Sequence, residues 1–301
     1  MHVLCAQLTY RARDLAPGLD RITANAGHLD ELLRRQADPL LDLVSLGEFW
    51  LASPTGPDEY ASSAVLLPGP VDGVLGDLAR DHEILLSANL LERDEAGELY
   101  DTTVLVGPTG QVLLRYREVA GGLISGSAIA GPVGGARPRL GVTGAGLAGW
   151  LPVVDTDFGR LAALVGSDLT YPELSIALTR AGVDVLLHAA KEPPATEGPY
   201  QAMKTARAVE GGYAIVSSNI ADGSADSGPW AASRGRSRVI DARGATVAES
   251  DTDGEDLLVA DLDTRASREI RTQPRWERRR SSAWADHCAA MFGAPAQGAE
   301  R

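Results

Sequence analysis

The chain has 301 residues, 44% apolar and 23% charged, proportions that suit a globular protein with a sizeable core. Its formal net charge of −13 argues against nucleic acid as a partner, because that role needs basic surface to displace counterions. No apolar run approaches the ~18 residues of a spanning helix, and the N-terminus lacks a signal-peptide pattern. A cytoplasmic protein with no membrane partner is therefore expected.

His2 to Leu8 is an apolar run short enough to be a strand. Leu19, Ile22, Ala26, Leu29 and Leu33 recur at helical spacing. Leu41 to Leu46 suggests a buried strand that ends at Gly47-Glu48-Phe49-Trp50. A short amphipathic helix is predicted over Val71 to His82 and a strand over Ile84 to Ala88. Tyr100 to Val106 and Gln111 to Tyr116 form a predicted strand pair around the turn Gly107-Pro108-Thr109-Gly110. Val119 to Trp150 is glycine-rich, lacks acidic residues and has no period, as expected of a long functional loop.

Strands follow at Arg160 to Val165, Val185 to His188 and Ala214 to Ser218, interleaved with helices near Pro172 to Ala181 and Tyr200 to Val209. Short strands are predicted at Ser237 to Ile240, Thr246 to Glu249 and Leu257 to Leu262. This order, helix–strand alternation and then strand pairs, occurs twice and implies two sheets covered by helices. One domain over residues 1–264 is expected. Residues 265–301 form an arginine-rich extension, containing Trp276 and Trp284, that packs on the domain or on a dimer partner. Its arginines are most simply a solvated or subunit-bridging strip against an acidic body.

The two cysteines, Cys5 and Cys288, make neither a disulfide framework nor a zinc site. Cys5 lies inside the first strand pattern, where a small buried hydrophobe is the simpler reading. Lysines are equally scarce: Lys191 and Lys204 only.

Five segments carry a resemblance. They are Leu46-Gly47-Glu48-Phe49, the strand Gly110 to Glu118, and Asp157-Phe158-Gly159-Arg160 with the following Gly166 to Glu173. Thr205 to Gly212 and the hairpin Gly235 to Gly244 complete the set. In this order and spacing the chain resembles the nitrilase, or carbon-nitrogen hydrolase, superfamily over residues 2–263. The resemblance implies an α/β fold, a four-layer αββα sandwich, and a homodimer or higher homo-oligomer joined through helices beside the nucleophile. It also implies a Cys nucleophile, a Glu general base and a Lys that steadies the tetrahedral intermediate.

Carried over by position, Glu48 matches the base, Glu118 stands where the Lys belongs, and Gly166 stands where the Cys belongs. The loop acid that many members carry has no counterpart in 119–150. Asp168, Tyr171, Pro172 and Glu173 match the family motif and read as turn and helix-start residues, Asp168 being also a possible pocket residue, and Arg207 and Glu210 as a buried or dimer-side ion pair. Ser167, beside the missing nucleophile, is either a turn serine or a displaced nucleophile. Glu48 and Glu118 facing each other without the usual cation should raise one carboxyl pKa; a solvated, outward Glu118 is the other reading. His188 is either a rim histidine or the third member of a weak metal set with Glu48 and Glu118. Trp50 and Trp230 are either pocket walls or ordinary packing.

Three functions remain open. The first is an enzyme using Glu48 and Glu118 for acid/base chemistry on a small nitrogen-containing substrate, with no cofactor expected. The second is a catalytically inactive dimeric scaffold or ligand-binding protein. The third is a conventional amidase with an unrecognised nucleophile such as Ser167.

Overall fold

The computed structural model describes residues 1–36, 40–119, 151–194, 197–222 and 233–293. The first half supplies β1 (His2–Gln7), β2 (Leu43–Leu46), β3 (Val65–Leu66), β4 (Leu85–Arg93), β5 (Leu99–Val106) and β6 (Val112–Arg117). The second half supplies β7 (Val153–Thr156), β8 (Gly159–Val165), β9 (Val185–Ala190), β10 (Ala214–Asn219), β11 (Arg238–Ile240) and β12 (Thr246–Glu249). β13 (Asp256–Asp261) returns to the first sheet, antiparallel to β1. The sheet orders are β13-β1-β2-β4-β5-β6, with β3 beside β4, and β12-β11-β10-β9-β8-β7. In each, three parallel central strands (β1, β2 and β4; β8, β9 and β10) are flanked by antiparallel ones.

The central strands are apolar on both faces, and each face has its own partner. Val3, Cys5, Leu43, Leu85 and Leu105 point at the second sheet and join Leu161, Leu164, Leu186 and Val216 in one core. Their neighbours Leu4, Ala6, Val44, Leu86 and Val104 pack outward on α1 (Leu19–Arg35), through Ile22, Ala26 and Leu29. After the single turn α2 (Tyr60–Ser63), α3 (Pro70–Asp81) adds Val71, Leu75 and Leu78 to that layer. The period-2 alternation thus sends alternate residues to opposite layers.

α4 (Pro172–Ala181) and α5 (Glu197–Gly211) cover the second sheet, with Leu178, Tyr200 and Ala208 reaching its core. The result is the four-layer αββα sandwich. Pro172 opens α4, and Gly182, at φ 76, closes it in the left-handed conformation that suits glycine.

The extension after 264 is helical: α6 (Thr264–Arg271), α7 (Pro274–Arg280) and α8 (Ser282–Gly293). α6 does not behave as a solvated strip. Arg271 is buried, donates to the backbone oxygens of Val183 and Gly212, and pairs with the buried Asp184. Trp276 is 2% exposed and packs with Ala242 and Ile270. The tail therefore clamps the second sheet of its own chain. The glycine-rich segment is described only at Val119, and residues 120–150 and Trp230 lie outside the described residues. No described helix is long and apolar enough to cross a membrane.

Candidate active site

Four strands deliver the site from their carboxyl ends. Glu48 follows β2, Glu118 follows β6, Gly166 follows β8 and Lys191 follows β9. Carboxyl ends of strands are where open α/β sheets bind ligands. The two sheets are stitched together there: the Glu48 backbone N–H donates to the Ala190 oxygen at 3.2 Å. Gly47 permits this approach, since a Cβ on it would come within 3.2 Å of the backbone at Asn219 and Ile220.

Gly166 turns at φ 43 into a single turn of 3-10 helix, Gly166–Thr170. A Cβ at this point would lie 2.9 Å from Glu48 Oε2 and 3.6 Å from Glu118 Oε1. Both acids therefore converge on the space that a side chain at 166 would occupy. Ser167 Oγ donates to Glu118 Oε1 at 3.0 Å. Behind them, His188 Nε2 lies 3.1 Å from the Gly166 oxygen and Nδ1 lies 2.9 Å from Ser217 Oγ. A carbonyl only accepts, so Nε2 carries the proton and Nδ1 accepts from the serine hydroxyl. Burial, and then the Lys204 charge, push His188 down to about 3, so the ring is neutral.

The cluster around Gly166 is richer in acids than the motifs foretold. Asp101 of β5 is buried, accepts from Asn89 Nδ2 at 2.6 Å, and takes the Glu118 N–H on its backbone oxygen at 2.8 Å. Asp168 accepts from the Tyr116 hydroxyl and from the Val119 N–H. Burial first, then the charges of Asp168, Asp101 and Glu48, drive the Glu118 carboxyl well above the usual range. Asp101 rises likewise, through burial and then Glu48. Burial also raises Glu48, but the Lys191 ammonium and the Lys191 backbone N–H oppose it, and it stops at about 8. The expectation of one raised acid and no cation is thus corrected twice: several acids rise, and Lys191 stands beside Glu48.

The profile of the carbon-nitrogen hydrolase family matches residues 5–272. The chain belongs to the carbon-nitrogen hydrolase family. It is 26% identical to human omega-amidase NIT2 over 260 residues, covering 84% of this chain and 88% of that protein. It is also 26% identical to the 2-oxoglutaramate amidase of Paenarthrobacter nicotinovorans over 297 residues, covering 91% and 94%. Among solved structures, a carbon-nitrogen hydrolase from Helicobacter pylori superposes with a TM-score of 0.74 at 18% identity, over 96% of this chain and 97% of that one. Saccharomyces cerevisiae Nit3 gives 0.70 at 23% identity, over 90% and 93%.

Several other sequence candidates sit elsewhere than expected. Trp50 is no pocket wall: it is 1% exposed in the core beneath α1, with Nε1 donating to the Thr9 oxygen at 2.8 Å. His188 is neither on the rim nor a metal ligand, because both ring nitrogens are engaged behind Gly166. Among the described residues no group of three or more His, Cys, Asp or Glu could hold a metal ion, so Glu48, Glu118 and His188 do not form the weakly expected metal set. Glu118 is turned inward, against the solvated reading. Ser167 reaches Glu118 rather than only local backbone. Arg207 pairs with Glu210 at 2.9 Å and also donates to the Leu169 and Thr170 oxygens, tying α5 to the turn after Gly166. Cys5 is buried between the sheets, 3.2 Å from Ser218 Oγ, and burial pushes its thiol up to about 11. A thiol held protonated is inert as a nucleophile.

Asp101 and Lys191 are the functional candidates that motif reasoning missed. Each had a signal. Asp101-Thr102-Thr103 places three polar residues inside an otherwise apolar strand, and Lys191 directly follows the strand that carries His188.

Proposed function

We propose that this protein is an enzyme that transfers protons between Glu48, Glu118 and a small nitrogen-containing substrate seated over Gly166, without a covalent cysteine intermediate. The observation that carries this reading is the convergence of the two carboxyls on one point beside a residue with no side chain. Their environments differ. Glu48 has an ammonium and a backbone N–H nearby; Glu118 has the Ser167 hydroxyl and three other acids. Of the two, Glu48 ionises first, at about 8, and its ionised form serves as the base, while Glu118 keeps its proton and serves as the acid. The amidases among its relatives support a nitrogen-bearing carbonyl compound as the substrate class. Family habit supports a homodimer through α4, where Ile176 is 54% exposed.

The test begins by screening 2-oxoglutaramate, other small amides, nitriles and amines by proton NMR. The compound that turns over is then offered to Glu48→Gln and Glu118→Gln. Each variant is expected to lose on the order of 10²-fold or more in kcat, the usual worth of a positioned acid or base. Normal turnover by either variant sinks the reading. A folded wild-type protein that turns over nothing favours the scaffold.

The hydrogen bond from Ser167 Oγ to Glu118 favours a second reading, in which Ser167 is the nucleophile and Glu118 its base. Ser167→Ala separates the two: the proton-transfer reading expects turnover to persist, and the serine reading expects its loss together with any acyl-enzyme seen by mass spectrometry.

A further inference from the structure

Position 118, where the resemblance places a lysine, holds an acid, yet this acid-rich cluster still has a cation next to it. The chain has two lysines. Lys204 is committed elsewhere, with Nζ 2.8 Å from Glu192 Oε2 and both side chains buried. Lys191 is half-buried at the end of β9, and its backbone N–H donates to the Glu48 carboxylate. Its ammonium stands 5.6 Å from the centre of the Tyr10 ring, and the Tyr10 hydroxyl donates to the Glu48 backbone oxygen at 3.3 Å. The same ring also carries the Arg13 guanidinium, which is already paired with Asp222 at 3.1 Å. Among the described residues no direct ion pair holds the Lys191 ammonium. Its own backbone N–H and the shared Tyr10 set this cation on the Glu48 side of the pair.

We propose that Lys191 is the positioning cation of this site: it fixes Glu48 as the carboxylate that ionises first and leaves the retained proton on Glu118. The assignment rests on the acid/base reading and adds what breaks the symmetry of the pair. The groups facing Lys191 are Glu48 after β2, Asp222 after β10, and Arg13 and Tyr10 after β1. Those facing Glu48 are Lys191, Glu192, Asp168, Asp101 and Glu118, with Tyr10 and Tyr60. Lys191 is the cation in that second set, so removing it should act on Glu48 before any other group.

The experiment is an infrared titration of the folded protein without substrate. Surface carboxyls are ionised at neutral pH, so the C=O stretch of protonated acids then reports the buried ones. Glu48→Gln and Glu118→Gln identify their bands. Lys191→Met is expected to move the Glu48 midpoint up by about one pH unit or more, as loss of a nearby opposite charge does. Lys191→Arg is expected to return it close to the wild-type value. Acetylating Lys191 in the folded wild-type protein, where Lys204 is buried, should reproduce the Met result without relying on the variant to fold. A Glu48 midpoint unmoved by both changes overturns the proposal, as does an equal shift of the Glu118 band. Normal turnover by Glu48→Gln would overturn the acid/base reading while leaving this titration to stand or fall separately.

Discussion

At Gly166 two constraints meet in one residue. Its φ of 43 is a backbone angle that an L side chain adopts only with strain, and the space its Cβ would need is 2.9 Å from the Glu48 carboxylate. The turn therefore calls for glycine on two counts, its backbone angle and the space beside Glu48. Gly166→Ala should destabilise the protein by about 1–3 kcal/mol, the cost of a non-glycine left-handed residue with some displacement of Glu48. Urea unfolding at fixed pH measures it. No loss would mean that the turn relaxes and that the two acids are held less tightly than their convergence implies. Motif spacing singled out this glycine in the sequence, and the structure puts Glu48 and Glu118 around it. Lys191 was not singled out, because a lone lysine after a strand belongs to no motif, and only the fold places it against a residue from the other sheet.

Among the elements, α6 departs furthest from its composition. Its arginines suggest a solvated strip, yet Arg271 is 6% exposed and satisfies the Val183 and Gly212 oxygens while pairing with the 3%-exposed Asp184. The signal that betrays this is small: Ala266 and Ile270 sit four apart, facing inward, with Trp276 just beyond. Removing one member of a buried pair leaves the other charge uncompensated, so Arg271→Ala should cost about 3–5 kcal/mol. Thermal unfolding tests this. A surface-like loss below about 1 kcal/mol would show that α6 is dispensable to the domain. Strand positions, by contrast, were largely legible. Val185, Leu186 and Leu187 are apolar on both faces, and a strand that packs on two layers has little alternative. β7 escaped notice because its first two residues, both valines, are only partly buried and its other residues are polar.

For the whole molecule, the buried acids make stability depend on pH with a sign opposite to that of ordinary salt-bridged carboxylates. Glu48 rises from 4.5 unfolded to about 8 folded, so between those values the folded state holds a proton that the unfolded chain has lost. Its contribution is complete below about 4.5 and disappears as the pH climbs through 8. Glu118 and Asp101 are shifted in the same direction. His188 opposes them lower down. Its fall from 6.5 to about 3 means that folding excludes a proton there, so its contribution is complete above 6.5 and shrinks as the pH drops towards 3. Above its unfolded value of 6.5 the histidine's opposing contribution fades, and towards pH 8 the carboxyls act without it. Unfolding free energy should therefore fall as the pH rises across that window, by up to about 1.4 kcal/mol per pH unit for each proton involved. Glu48→Gln removes one of those protons, so the slope should flatten and the variant should be more stable than wild type at pH 8. Urea titrations at pH 6.5, 7.2 and 8.0 measure both quantities. A wild-type slope of zero or of the opposite sign would mean that the acids around Gly166 are ionised in the folded protein, and Glu118 could then no longer serve as the proton donor.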